Sequence, residues 1–261
     1  MKLFDSHCHL DDRSYQSDLE AVIQRAGQKG IENMMTVGID QETSIRSIEI
    51  AEKFHGVYAA VGVHPHRASS CSDRVMKRLT DLAGNPRVCA WGETGLDFNR
   101  MYSPKEDQET WFVRQIQAAG EQRLPLILHE RDSHGRLLEI LKAHPNENRR
   151  GVVHCFSGNR SELGAYLDLG YFIGITGILT LQKRGIDLRK LVGYIPLDRL
   201  LIETDAPYLT PAPQKNKTRR NEPAFVKSVL LKLAEIRNAD PEMLADHTTS
   251  NARRLFNITD P

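Results

Sequence analysis

The chain has 261 residues, 40% hydrophobic and 26% charged, the composition of an ordinary globular protein. A net charge of +1 excludes a surface that is basic all over, so a polyanionic partner would need a local patch of cations. The chain shows no basic segment followed by an apolar stretch at its start, and no run of about 18 apolar residues anywhere, which disfavours secretion and membrane spanning and favours the cytoplasm.

Taken in chain order, short runs rich in branched and aromatic residues predict strands at 3–6, 31–37, 57–63, 88–92, 126–128, 152–155, 171–175 and 200–202. Amphipathic stretches with helical spacing lie between them at 19–29, 44–54, 108–122, 135–143 and 161–169. Strands alternating with helices imply a parallel sheet, and eight strands in this length suit a single α/β domain over 1–261, a closed (β/α)8 TIM barrel. The position after the first strand holds His7-Cys8-His9 rather than a glycine-rich phosphate turn, which argues against an open doubly wound sheet. The tail from 222 to 256 reads as two helices covering the barrel, broken where Asp240 caps and Pro241 starts the second. Cys8, Cys71, Cys89 and Cys155 lack CxxC spacing and read as packing residues, not a disulfide framework.

The chemistry gathers where the apolar runs stop. His7 and His9 share a face of the first strand, with Asp5 on the same side as a candidate to orient one of them. Glu93 follows the fourth run between Gly92 and Gly95, which would let backbone approach a ligand closely, and its two oxygens could bridge two cations. His129 closes the fifth run, His154 lies in the sixth, and Asp205 closes the eighth, with Glu203 on the same face. Any one of these histidines alone reads as an ordinary core residue. All of them at the C-terminal ends of barrel strands form the inventory of a two-metal hydrolytic centre. His55, His144, His247 and His134 fall on helices or their ends and read as solvated or capping.

The motifs FDSHCHLD, AVGVHPH, WGETGLDFN, HERDSH, VVHCFSG, GITG and LLIETDAPYLTP resemble, in order, those of the TatD family of metal-dependent deoxyribonucleases within the amidohydrolase superfamily. The resemblance runs from Phe4 to 220–223 and continues weakly to Asn251-Ala252. It implies a TIM barrel with His7, His9, Glu93 and Asp205 around one metal ion and Glu93, His129 and His154 around another. It implies two divalent ions, Mg²⁺ in use with Zn²⁺ or Mn²⁺ as alternatives, and a 3′–5′ exonuclease acting on single-stranded DNA, with RNA as a further substrate. On this reading a metal-activated hydroxide attacks phosphorus, and Asp205 orients or deprotonates the water. His64 would hold a phosphate oxygen or protonate the leaving oxygen, and His66, deeper in its loop, is the weaker candidate.

Substrate contacts are assigned to Arg131, two residues beyond His129, and to a basic cluster of Lys215, Lys217, Arg219 and Arg220, with Lys217 and Arg219 carrying the most weight. Tyr208 and Phe98 lie in rim loops and read as packing beneath them rather than stacking on bases. The alternative activity is ester or amide hydrolysis, such as deacylation of aminoacylated nucleotides. A metal-stabilised binding protein without turnover is a third reading, which the full ligand set and the candidate base Asp205 oppose.

Overall fold

The structure, a computed structural model, describes residues 1–145 and 150–259. Eight strands, β1 (Leu3–Cys8), β2 (Ile31–Val37), β3 (Val57–Val61), β4 (Val88–Asp97), β5 (Leu126–Arg131), β6 (Gly151–Val153), β7 (Phe172–Ile175) and β8 (Leu200–Ile202), form one sheet in sequence order. Every neighbouring pair is parallel. The sheet curls until its edges meet. Cys8 bridges Ala206, the His9 N–H donates to the Ala206 carbonyl at 2.7 Å, and the Asp205 N–H donates to the His7 carbonyl at 2.9 Å. The expected (β/α)8 barrel is the observed one.

Helices α1 (Leu19–Gln28), α2 (Gln41–Lys53), α3 (Asp73–Ala83), α4 (Lys105–Glu121), α5 (Arg136–Ala143), α6 (Arg160–Asp168) and α7 (Ile186–Leu191) follow β1 to β7 in turn. After β8 come α8 (Ala212–Lys215), α9 (Val226–Arg237) and α10 (Pro241–Phe256). The sequence reading has no helix at α3, a polar stretch whose buried residues are Met76, Leu79 and Ala83, a narrow stripe at helical spacing. Helix α2 starts ahead of the expected boundary because Asp40 and Thr43 make a reciprocal capping box. Asp240 caps α10 as anticipated, accepting the Met243 N–H at 2.9 Å. No helix among the described residues is long and apolar enough to cross a membrane.

Two apolar layers follow from strand alternation. Leu3, Val61, Leu128, Ile173 and Ile202 face outward into the layer beneath the helices. Phe4, Val37, Ala60, Ala90, Ile127, Val152, Phe172 and Leu201, one from each strand, fill the barrel axis. Ala252, Leu255 and Phe256 of α10 close this inner layer from below, with the Phe4 and Phe256 rings 5.9 Å apart. Truncating Phe4 to alanine would cost about 3–5 kcal/mol. With the bottom plugged, the open end is the C-terminal mouth, and residues two positions beyond the inner layer on β5 and β6, His129 and His154, must point there.

Strand β4 runs on to Asp97, past the expected end at 92, and Gly92 and Gly95 explain how. Their φ angles are +155° and +143°. A Cβ on Gly92 would stand 2.6 Å from the Ile127 carbonyl, and one on Gly95 would collide with the carbonyl of His129. The glycines therefore let β5 approach β4; the close neighbour is a strand, not the ligand that the sequence suggests.

Candidate metal centre

A register shift between Asp5 and Cys8 in the β1–β2 ladder breaks the alternation that starts at Phe4. His7 and His9 consequently face the mouth, while Cys8 packs outward with its thiol donating to the Met35 carbonyl at 3.3 Å. Asp5 does not orient an imidazole. Its carboxylate accepts the Thr204 N–H at 2.8 Å and the Thr204 hydroxyl at 2.5 Å, tying β1 to the segment after β8 along the seam. Burial pushes the Asp5 carboxyl up to about 8 despite these bonds.

Four donor atoms converge next to the seam. Nε2 of His7 and Nε2 of His9 lie 3.2 Å apart. Oε2 of Glu93 is 3.5 Å from His7 and 3.8 Å from His9, and Oδ1 of Asp205 is 3.8 Å and 3.4 Å from the same two nitrogens. For metal–ligand bonds of about 2.1 Å a tetrahedron has edges of about 3.4 Å, and two trios of donors come together near that scale: His7, His9 and Glu93, and His7, His154 and Asp205. The ring nitrogens fit as well: His9 Nδ1 donates to the Val37 carbonyl at 3.0 Å, which leaves Nε2 facing the mouth, where a cation would take the place of its proton.

Glu93 is only 3% exposed, and its second oxygen serves a different pair. Oε1 lies 2.7 Å from His129 Nδ1 and 3.5 Å from His64 Nε2. One carboxylate thus presents one oxygen to each of two imidazole groups, as a bridging ligand must. The other ring nitrogen of His129 faces Asp97 at 3.2 Å, and Asp97 also holds His66 Nε2 at 2.7 Å. His154 is grouped differently from the expected trio. Its ring stacks on His7 at 3.5 Å, its Nε2 faces Asp205 at 3.7 Å, and its Nδ1 faces Glu203 at 2.8 Å. His154 therefore joins His7 and Asp205 as one trio of donors, while His129 gathers with His64 and His66 on the Oε1 side of Glu93.

Charge in the site is one-sided. Among the described residues, the ion-pair partners of Glu93, Asp97, Glu203 and Asp205 are all imidazoles, with no lysine or arginine. Burial would depress His9, yet Asp205 and Glu93 push it up to about 9. His129, beside Asp97 and Glu93, and His154, beside Glu203, are likewise raised against burial to about 9. Glu93 stays well below the usual carboxylate range against its burial, held by His64 and His129. Such a potential favours added positive charge, which suits a cation site.

Burial lowers His7, and it lowers His64 to about 4. Nδ1 of His64 accepts the His66 N–H at 3.0 Å, so the neutral ring carries its proton on Nε2, aimed at Glu93 and at His129 Nδ1 3.2 Å away. A protonated nitrogen donates and cannot ligate.

The rim departs from expectation in several places. Arg220 turns inward: it donates to the Ser14 carbonyl at 2.6 Å, pairs with Asp18 at 2.7 Å and Glu222 at 3.1 Å, and covers the Tyr15 ring. Lys215, Lys217 and Arg219 remain exposed, and Arg131 is half-buried at the end of β5. Phe98 packs against the core as expected, with Lys105 over its ring, but Tyr208 is 54% exposed and edge-on to His9. Asp97 and Tyr102 escaped the sequence reading. Asp97 was legible as the residue four beyond Glu93 on one strand face, had the strand been extended; Tyr102 had no signal beyond its place in a rim loop.

A (β/α)8 barrel with carboxylates and imidazoles gathered at its C-terminal mouth is the arrangement of a metal-dependent hydrolase. The chain belongs to the TatD family: the family described as TatD related DNase matches residues 4–257. It is 41% identical over 260 residues to the 3′-5′ ssDNA/RNA exonuclease TatD of Rahnella sp. (strain Y9602), covering 98% of this chain and 99% of that protein. A protein of the same description from Klebsiella pneumoniae (strain 342) is 41% identical over 258 residues, covering 98% of each. Among solved structures, the TatD homolog YJJV from Escherichia coli K12 superposes with a TM-score of 0.91 at 32% identity, covering 98% of each chain.

Proposed function

We propose that this chain is a divalent-metal-dependent 3′–5′ exonuclease acting on single-stranded DNA and RNA, with the whole reaction carried by one domain spanning 1–261. The observation that carries this reading is Glu93, whose two oxygens face two separate imidazole groups at the mouth of the barrel. His7, His9, Glu93 and Asp205 would hold one cation; Glu93 and His129 would hold the second, completed by His154, which stands beside His7 and Asp205. Bound there, two such ions supply Lewis acidity to phosphoryl oxygens and lower the pKa of water. The donor set accommodates Zn²⁺ and Mn²⁺ by softness, and Mg²⁺ is the ion we assign to turnover.

The protein's own groups do the rest. Asp205 has 15% of its side chain exposed at the mouth, and despite burial its carboxyl is kept below the usual range by His9 and His154. It is therefore ionised and placed to take a proton from an attacking water. His64 donates its Nε2 proton to a phosphate oxygen. As a neutral ring it is a hydrogen-bond donor, and this favours the holding role over protonation of the leaving group. Lys217, Arg219 and Arg131 would contact the strand's phosphates. Four free cysteines suit a reducing compartment, and the cytoplasm is the location we assign.

The test is cleavage of a 3′-labelled and a 5′-labelled single-stranded oligonucleotide with Mg²⁺ or Mn²⁺, against a panel of acyl esters that includes aminoacylated nucleotides. Stepwise loss from the 3′ end, abolished by chelation and by Glu93→Ala in a protein that still melts cooperatively, is the expected result. Turnover of acyl esters without oligonucleotide cleavage would refute it. The relatives' descriptions do not favour the deacylase alternative.

A further inference from the structure

Two tyrosines stand at the mouth with more of their surface in water than such rings ordinarily leave. Tyr208 is 54% exposed and Tyr102 is 64% exposed. Each ring is set edge-to-face against a histidine of the site: Tyr208 lies 5.8 Å from His9 at 67°, and Tyr102 lies 4.8 Å from His66 at 80°. The two histidines belong to opposite sides of Glu93, His9 on its Oε2 side and His66 beyond His129 on its Oε1 side. The rings therefore flank the candidate cleavage centre. Each hydroxyl has a partner, Tyr208 donating to Asp12 and Tyr102 accepting from Arg100, both at 3.3 Å, which limits rotation of rings that are more than half exposed.

Resting on the exonuclease reading, we infer that Tyr208 and Tyr102 are the two base-stacking subsites of the enzyme, Tyr208 for the 3′-terminal nucleobase and Tyr102 for the one before it. The surroundings distinguish them. Tyr208 sits against the carboxylate of Asp12, where a phosphate is repelled but an uncharged nucleoside is not, and a 3′-terminal nucleoside carries no phosphate beyond the scissile one. Tyr102 sits beside the guanidinium of Arg100, where the chain must continue with further phosphates. Stacking uses the π face common to all bases and ignores the 2′-hydroxyl, so sequence-tolerant removal of both deoxynucleotides and ribonucleotides follows. A penultimate base held in the stack of a duplex has no free face for Tyr102, and the two rings together therefore select single strands.

Oligonucleotides with one abasic residue at the terminal or the penultimate position test this by comparison with the intact strand. Wild-type KM should rise about 5- to 150-fold for each abasic substrate, with kcat changing less. Tyr208→Ala should erase the penalty at the terminal position only, and Tyr102→Ala that at the penultimate position only. Tyr208→Phe and Tyr102→Phe should keep both penalties, and leucine at either position, of similar bulk but without a π face, should behave as alanine. Penalties that survive in the alanine and leucine variants, or that are absent from the wild type, overturn the assignment while leaving the exonuclease intact. A wild-type enzyme that cleaves no oligonucleotide overturns both.

Discussion

Asp97 places one carboxylate oxygen 3.2 Å from Nε2 of His129 and thereby decides which ring nitrogen of that histidine faces Glu93. The same oxygen holds His66 at 2.7 Å, and Asp97 itself is fixed by the backbone N–H groups of Asn99 and Arg100 at 3.0 and 2.8 Å. Burial works against its charge, yet His129 and His66 keep its carboxyl far below the ordinary range.

Removing that charge should loosen the cation site without altering any proposed ligand. For Asp97→Asn the expected loss is about 10- to 100-fold in divalent-ion affinity. Calorimetric titration with Mn²⁺ reads this directly, and an unchanged dissociation constant would show that His129 needs no support from Asp97.

Gly174 governs the other flank. A Cβ there would stand 2.5 Å from Oε2 and 2.6 Å from Oε1 of Glu203, the fully buried carboxylate that faces His154. Gly174→Ala should destabilise the protein by about 1–3 kcal/mol and displace His154, with at least tenfold lower turnover. Thermal melting and oligonucleotide cleavage together check it; full activity would mean that His154 is placed by something other than Glu203.

Lys217 and Arg219 are exposed, with no ion pair among the described residues, unlike Arg220. If each neutralises one phosphate of a single strand, the double substitution Lys217→Ala with Arg219→Ala should reduce the slope of log K against log salt by about 1.4, at about 0.7 per contact. Anisotropy titrations across a salt series measure the slope. An equal slope in the variant would assign these side chains to solvent.

The clamp of Arg220 on Asp18 should show in acid. Hydrogen bonds from Arg220 hold the Asp18 carboxyl down at about 2, below its ordinary 3.8. The unfolded chain then binds this proton first as pH falls, so the stabilisation is fully present above about pH 4 and is lost as pH drops towards 2. Asp18→Asn should melt lower than wild type by a constant gap from pH 5 to 8, and that gap should close below pH 4. Because the pair is at the surface, the gap should also shrink in high salt.

Much of the barrel was legible because a strand's character is local. The run 126–128 is branched and apolar, and the polar His129 after it marks the rim whichever strand becomes its neighbour. The stripe of α3 was missed because Met76, Leu79 and Ala83 are sparse among charges and acquire their meaning only from the barrel wall beneath them. Glu93 stands between two imidazole groups, and its neighbouring glycines accommodate β5 rather than the ligand that the sequence suggests. Nothing in a linear sequence tells which backbone will lie alongside.

The sequence by itself determined the inventory and its position: imidazoles and carboxylates at the ends of apolar runs, which parallel strands gather at one end of a barrel. Only the tertiary structure decided the pairings. It set His154 on His7 and Asp205, His64 on His129, Arg220 inward on Asp18, and Tyr102 and Tyr208 outward on either side of the mouth. The physical reason is closure. These groups come from segments as far apart as β1 and the chain beyond β8, and their distances are fixed when the register of eight strands and the bonds of the Asp5–Thr204 seam bring the two edges of the sheet together.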